Sequence, residues 1–144
     1  MKRAGVVLIL FFAFLGLSDS IYLAQNEAGN IPLICNVETL SGCNIVATSQ
    51  YSHFLGISIA EYGVIFYAFI FVVAALEIVV FDRLLRRILQ GVSLLGVIAS
   101  TYLTFLEIFV IRALCIYCLV SAGIALVVLV FASLIEPVKR AAKP

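Results

Sequence analysis

Four cysteines fall into two pairs in an otherwise almost wholly apolar chain. Cys35 and Cys43 bracket a polar stretch, and Cys115-Ile-Tyr-Cys118 is a C-x-x-C at the edge of an apolar run. C-x-x-C is the compact dithiol geometry of redox chemistry, in which neighbouring groups tune one sulfur as a thiolate. A second pair in a loop supplies an exchange partner, because disulfides pass electrons by attack of a thiolate on sulfur. The spacing points to thiol–disulfide exchange, and the elements that carry the cysteines must bring the two pairs together.

Those elements belong to a membrane. The 144 residues amount to a single domain, 65% hydrophobic and only 12% charged, with a mean hydropathy of +1.23. Soluble domains run at roughly 45–50% apolar and about 25% charged, and so much apolar surface could not be hidden in a chain of this length. A net charge of +1 gives no electrostatic case for nucleic acid. One histidine and no clustered carboxylates argue against a metal site of ordinary spacing.

The apolar runs predict an all-α bundle of four transmembrane helices in one domain, residues 1–144, with spans near 6–23, 57–81, 88–111 and 114–135. The first span reaches roughly 27 Å at 1.5 Å per residue. Lys2 and Arg3 ahead of it also resemble a signal peptide, but the run exceeds a usual signal core and no small-x-small cleavage site follows Leu17. Residues 25–56 form a loop, expected to carry a short helix, punctuated by Gly29, Pro32 and Gly42 and holding Cys35 and Cys43. Arg83, Arg86 and Arg87 are expected to fill the turn between spans two and three, and Arg112 with Cys115 the turn between three and four.

Charge orients the bundle. With four spans, Lys2, Arg3, Arg83, Arg86, Arg87, Lys139, Arg140 and Lys143 fall on one side and only Arg112 on the other. The positive-inside bias then predicts both termini in the cytoplasm. It places the Cys35/Cys43 loop and the C-x-x-C together on the extracytoplasmic face, where disulfides form and persist.

Cys115 and Cys118 are expected at the start of the fourth helix, where the helix dipole and Arg112 favour a thiolate and lipid opposes it. Two other readings compete. Two inert staples would brace the loop, although a C-x-x-C closes a tiny ring and restrains little of the unfolded chain. A soft-metal transporter would use thiolates as ligands, but the chain lacks the methionine and histidine partners expected of one.

The ordered set of residues resembles the vitamin K epoxide reductase family, in particular its bacterial and archaeal disulfide-recycling members, over nearly the whole chain. Asp19-Ser20-Ile21-Tyr22 resembles the end of that family's first helix. Cys35-x7-Cys43 followed by Ser49 resembles its outer loop, Gly63-Val-Ile-Phe-Tyr67 its second helix, and Tyr102-Leu-Thr-Phe-Leu-Glu107 leading into Cys115-x-x-Cys118 its third helix and redox turn. The resemblance implies a cell-membrane enzyme that takes electrons from a thioredoxin-like partner at Cys35/Cys43. They would pass to Cys115/Cys118 and then to a membrane quinone, ubiquinone or menaquinone. Cys118 would face the quinone, and Cys43 with Cys115 would form the transient bridge. Animal members carry a Thr-Tyr pair after the C-x-x-C where Ser121-Ala122 stands here, which speaks against epoxide reduction. Some bacterial members carry a fused thioredoxin domain; this chain ends soon after its fourth span, so the partner is expected in trans.

On that reading Ser49, Phe66, Tyr67, Glu107 and Tyr117 are the candidate quinone-site residues, with Phe105 a further aromatic. Each has a plainer alternative: a solvated loop serine, packing or lipid-facing rings, and for Glu107 a packing contact in place of proton relay. Glu61, Glu77 and Glu107 should face the bundle or an interface, since charge in lipid is costly. His53 reads as an interfacial polar residue. Tyr22, Tyr51, Tyr62 and Tyr117 suit an interface belt, and Ser93, Gly96, Ser100, Ser121 and Ala125 suit close helix contacts.

Overall fold

A computed structural model describes residues 2–34 and 42–135, so Cys35 and the basic residues Lys139, Arg140 and Lys143 lie outside the described residues. In chain order the elements are α1 (Lys2–Ala28), a short α2 (Cys43–Thr48), strands β1 (His53–Phe54) and β2 (Ile57–Ser58), α3 (Ile59–Val80), α4 (Arg83–Phe105) and α5 (Ile116–Ile135). A π-helical turn, Leu106–Ile111, prolongs α4. Among the described residues, α1, α3, the extended α4 and α5 are long and apolar enough to cross a membrane. Lipid offers the backbone no hydrogen-bond partners, so a chain this apolar satisfies its own amides by forming helices.

The four long helices pack in a ring in which α1 touches α3 and α5, and α4 touches the same two. Each buries one stripe at helical spacing: Val6, Ile9 and Ala13 on α1; Tyr67, Ile70 and Ala74 on α3; Leu89 on α4; Ala125, Val128, Ala132 and Ile135 on α5. The opposite faces stay open, as at Val79 and Leu134, which is the pattern of helices bathed in lipid. Small residues let the backbones approach. A Cβ on Gly96 would lie 2.2 Å from the Phe66 ring, and one on Gly16 would lie 2.4 Å from the Tyr67 ring. Ser93 is fully buried and returns its hydroxyl to Leu89 O at 2.6 Å.

Neighbours in the ring run antiparallel. Gly5 at the start of α1 abuts Ile135 at the end of α5, and Gln90 near the start of α4 donates to Ala132 O at 3.0 Å. The Arg3 guanidinium sits 5.1 Å from the Phe81 ring centroid at the end of α3. Arg3, Arg83, Arg86 and Arg87 therefore gather at one end of the bundle, while Cys43 and the C-x-x-C occupy the other.

Two boundaries differ from the sequence expectation. Helix α1 runs past Leu23 through Gln25, Asn26 and Glu27, because polar side chains do not break a helix that has left lipid. It stops where Asn30 turns left-handed, φ 51°. Ile31 N–H then donates to Asn26 O at 2.9 Å and Asn30 N–H to Glu27 O at 3.2 Å, the paired bonds of a Schellman ending. The loop thus begins near Gly29 rather than residue 25. The three arginines do not fill the turn between spans two and three either. Only Phe81, left-handed at φ 51°, and Asp82, whose Oδ1 accepts from Leu84 N–H at 3.0 Å, connect α3 to α4. An acidic N-cap is what a helix start requires, so the arginines enter the first turns of α4.

Burial follows from that shift. Arg86 reaches back to Glu77 on the last turns of α3, Nε to Oε1 at 2.5 Å, with side-chain exposures of 10% and 1%. Removing one partner leaves a buried charge uncompensated. We expect Arg86→Leu to lower unfolding stability in detergent by about 3–5 kcal/mol. The double variant Glu77→Leu, Arg86→Leu should recover most of that loss, and equal losses in single and double variants would show that the pair does not act as a unit.

Candidate active site at the redox end of the bundle

The site is built on a break in the helical backbone. After Phe105 the chain widens into the π-turn, and Arg112 closes it in a left-handed conformation, φ 56°, its N–H donating to Glu107 O. Ala113 N–H donates to the same carbonyl at 3.0 Å. Such π-turns shift the register of the side chains around them and recur at functional sites. Here the shift brings the Glu107 carboxylate under the start of α5, where its Oε2 accepts from Cys115 N–H at 3.2 Å.

Cys115 stands at the N-cap of α5 rather than inside it. Its carbonyl accepts Leu119 N–H at 3.2 Å, and its sulfur takes the amides of Tyr117 and Cys118, the bonds an N-cap side chain makes. Cys115 and Cys118 are both free thiols. The Cys118 thiol, then those two helix amides, hold the Cys115 thiol below its ordinary value against the opposing effect of burial. The expected thiolate-favouring environment is present, but its source is the Cys118 hydrogen bond and the helix amides. Arg112 is exposed at the turn.

Cys43 opens α2 and is disulfide-bonded. It is 1% exposed and packs with Cys115, 2% exposed, and Leu33 in one buried cluster. Gly42 sets this docking: its N–H donates to Leu114 O at 3.1 Å. A Cβ there would lie 2.7 Å from Ala113 Cβ and 2.9 Å from the Leu114 backbone. Asn44 clasps the opposite side, its Oδ1 accepting from Leu33 N–H at 2.8 Å and its Nδ2 donating to Leu33 O at 3.4 Å.

A cavity of about 410 Å³ lies beneath, and Cys43, Cys115 and Cys118 all reach its wall. Ser49, Phe66, Tyr67 and Glu107 line it as well. The Ser49 hydroxyl donates to Val46 O at 2.7 Å. The Tyr67 hydroxyl donates to Ser121 O at 2.7 Å and lies 2.9 Å from Ser121 Oγ. Tyr117 is not among the lining residues. About 100° separates it from Cys118 around the helix, so its ring meets that of Tyr22 at a tilt, centroids 5.4 Å apart, and its hydroxyl donates to Ile34 O at 2.8 Å. Phe105 is likewise absent from the wall, exposed and paired with Phe109 at 4.7 Å. Glu77 and Glu107 are buried, whereas Glu61 is exposed in the first turn of α3.

Glu27 of α1 also lines the cavity, and the hairpin that precedes α3 closes around it. Strands β1 and β2 pair His53 with Ser58 and Phe54 with Ile57, joined by Leu55 and Gly56 at φ 54° and 80°, the twist that a two-residue hairpin favours. The hairpin places His53 Nε2 3.4 Å from Glu27 Oε1 and its Nδ1 2.8 Å from Ser52 Oγ. Ser58 caps α3 by accepting from Ala60 N–H at 3.2 Å, and its hydroxyl donates to Glu27. The pattern Ser58-Ile-Ala-Glu61 is a capping-box signature and marked this boundary in the sequence; nothing in the sequence marked the bond to Glu27.

Comparison with known proteins agrees with this geometry. The model of the vitamin K epoxide reductase family matches residues 7–133, a range that includes Cys43 and the C-x-x-C. No individual curated protein matches the chain. A four-helix bundle whose loop cysteine is buried against a C-x-x-C, together with a family match across most of its length, assigns this chain to the vitamin K epoxide reductase family of membrane thiol–disulfide oxidoreductases.

Proposed function

We propose that the protein reoxidises a thioredoxin-like partner outside the cytoplasm and delivers the electrons to a membrane quinone. The observation that carries this reading is the common wall: Cys43, Cys115 and Cys118 border one cavity inside a membrane bundle. That cavity suits such an acceptor. Its volume of about 410 Å³ falls within the range of roughly 300–1,000 Å³ typical of small-molecule sites. The surface of its wall is mainly apolar, and Glu107, Cys118 and Ser121 are among the polar groups on it. Leu95 and Ala99 of α4 belong to the wall and are exposed at the bundle surface, which supports entry from lipid between α3 and α4. A quinone would supply an acceptor for two electrons and two protons.

The chain's own residues do the exchange. A reduced partner attacks the loop disulfide and leaves Cys35 and Cys43 as thiols. The Cys43 thiolate then attacks Cys115 in the Cys115–Cys118 disulfide, releasing Cys118 and forming the mixed disulfide. Cys35 attacks Cys43, and Cys115 departs. A lowered Cys115 pKa favours that last step, since the more acidic thiol is the better leaving group. The result is a closed loop disulfide beside a reduced C-x-x-C. Cys118 lines the cavity in contact with Glu107, which supports its passing the electrons on. We propose cytoplasmic termini, supported by the gathering of Arg3, Arg83, Arg86 and Arg87 at the end opposite the cysteines.

Three outcomes test this reading. A cysteine placed at Gly29 in a chain lacking native cysteines should react with an impermeant reagent from outside intact cells; labelling only from the cytoplasm would invert the orientation. The Cys35→Ala, Cys118→Ala variant should accumulate a Cys43–Cys115 bridge, found by mass spectrometry of non-reduced digests. Adding Gly42→Ala, whose Cβ meets fixed backbone, should lower its yield about tenfold, equivalent to roughly 1.4 kcal/mol. Independent staples would give no bridge in either case. In the reduced protein, a small alkylating reagent should reach half-maximal rate at Cys115 below pH ~8.5, the ordinary thiol value. Cys118→Ala should move that midpoint upward, because it removes the main group stabilising the thiolate.

A further inference from the structure

Glu107 carries a placement that packing alone does not require. It is 2% exposed, on a π-turn whose register aims it at the C-x-x-C. Its carboxylate accepts the Cys115 amide at 3.2 Å and interacts with the Cys118 thiol. Among the described residues no basic side chain pairs with it; the ion pairs there are Glu77 with Arg86 and Glu27 with His53. A buried carboxylate in a membrane bundle is costly to retain without a partner, so its contact with a reactive thiol is the feature to explain.

We infer that Glu107 is the general base that takes the Cys118 proton as the Cys115–Cys118 disulfide closes. The thiol sulfur is one of the reacting atoms, so Glu107 is a catalytic residue in the strict sense. The inference deepens the proposed function and rests on it for the destination of the electrons. With Cys115 as thiolate and Cys118 as thiol, forming the S–S bond releases one electron pair and one proton. The pair goes to the quinone in the cavity, the proton to Glu107 and from there to the reduced acceptor. The second proton that the acceptor requires comes from water, replacing the one Cys115 lost on ionising. When a thiolate attacks Cys115 in the next turnover, Glu107, reprotonated from water after passing its proton to the acceptor, supplies the proton that the departing Cys118 takes up.

Other titratable groups share the cavity wall and must be told apart. Glu27 reaches it from α1, Tyr51 from the loop, and Tyr62 and Tyr67 from α3. Cys43 of α2 is disulfide-bonded and does not titrate, and α4 presents only neutral side chains such as Ser100 and Thr104 before Glu107.

The test uses the full chain in lipid nanodiscs, dithiothreitol as donor and a short-chain ubiquinone as acceptor. Glu107→Gln keeps an oxygen for the Cys115 amide but no base. It should lower kcat about 100-fold, within the usual range for a lost acid–base group, while KM for the quinone stays within about threefold. Ionisation of Cys115 gives every variant one limb at acid pH, and because a base works only when deprotonated, the parent's kcat should show a further acid limb from Glu107. That further limb should vanish in Glu107→Gln and return in Glu107→Asp. A kcat within threefold of the parent with the further limb intact would overturn the assignment, as would a further limb that disappears in Glu27→Gln but not in Glu107→Gln. A second readout needs no quinone: reduction of the Cys115–Cys118 disulfide by dithiothreitol in a Cys35→Ala, Cys43→Ala background. Glu107→Gln should slow it at least tenfold below neutral pH. If the parent reduces no quinone yet this slowing is seen, the acceptor reading fails and Glu107 stands. Unchanged exchange alongside normal quinone turnover by Glu107→Gln would sink Glu107 and leave the acceptor reading intact.

Discussion

Backbone between Ile111 and Ile116 has to change direction at the edge of a medium that supplies no hydrogen-bond partners, and the active site follows from how that demand is met. One carbonyl, that of Glu107, receives the amides of both Arg112 and Ala113. The Glu107 side chain receives the amide of Cys115. The Leu114 carbonyl is met by Gly42 from the loop, and the first free amides of α5 are met by the Cys115 sulfur. Each bond that heals the break also positions a redox group. The loop cysteine is docked by the Gly42 bond, the C-x-x-C is oriented by its own capping, and a carboxylate is drawn beneath both.

The two ends of the bundle solve opposite problems with similar means. At the basic end a two-residue turn and the buried Glu77–Arg86 pair clamp α3 to α4, where a rigid join has no chemistry to accommodate. At the redox end the connections are longer and held by scattered hydrogen bonds: Asn44 with Leu33, Tyr117 to Ile34, Ser58 to Glu27. Contacts of that kind are individually worth about 1 kcal/mol, so this end can open at modest cost. Disulfide relay between a loop and a helix requires such movement, because a bridging cysteine must leave one partner to reach another.

Much of this was written in the sequence because lipid is a strict solvent. Hydropathy alone located four spans, since any apolar run long enough must be a helix there. Among the described residues Arg3, Arg83, Arg86 and Arg87 gather at one end because charge is cheap only at the bundle's surface, and the paired cysteine spacing pointed to thiol–disulfide exchange. Helix ends were less legible. They depend on which residue caps or turns, as at Asp82 and Asn30, and polarity is a poor guide to that.

What only tertiary structure decided was direction. Ser49, Phe66, Tyr67 and Glu107 were nominated together with Tyr117, yet only the first four line the cavity. A step of one residue rotates a side chain by about 100°, and composition does not say which face is inward. The pairing of Arg86 with Glu77, the hydrogen bond that docks Gly42 on Leu114, and the reach of Glu107 to two cysteines all join residues from different elements or across a widened turn. Such contacts depend on register and on the close approach of helices, which the chain reaches only once every element is packed. The sequence alone determined that paired cysteines would sit at one end of a membrane bundle; packing determined which groups stand beside them.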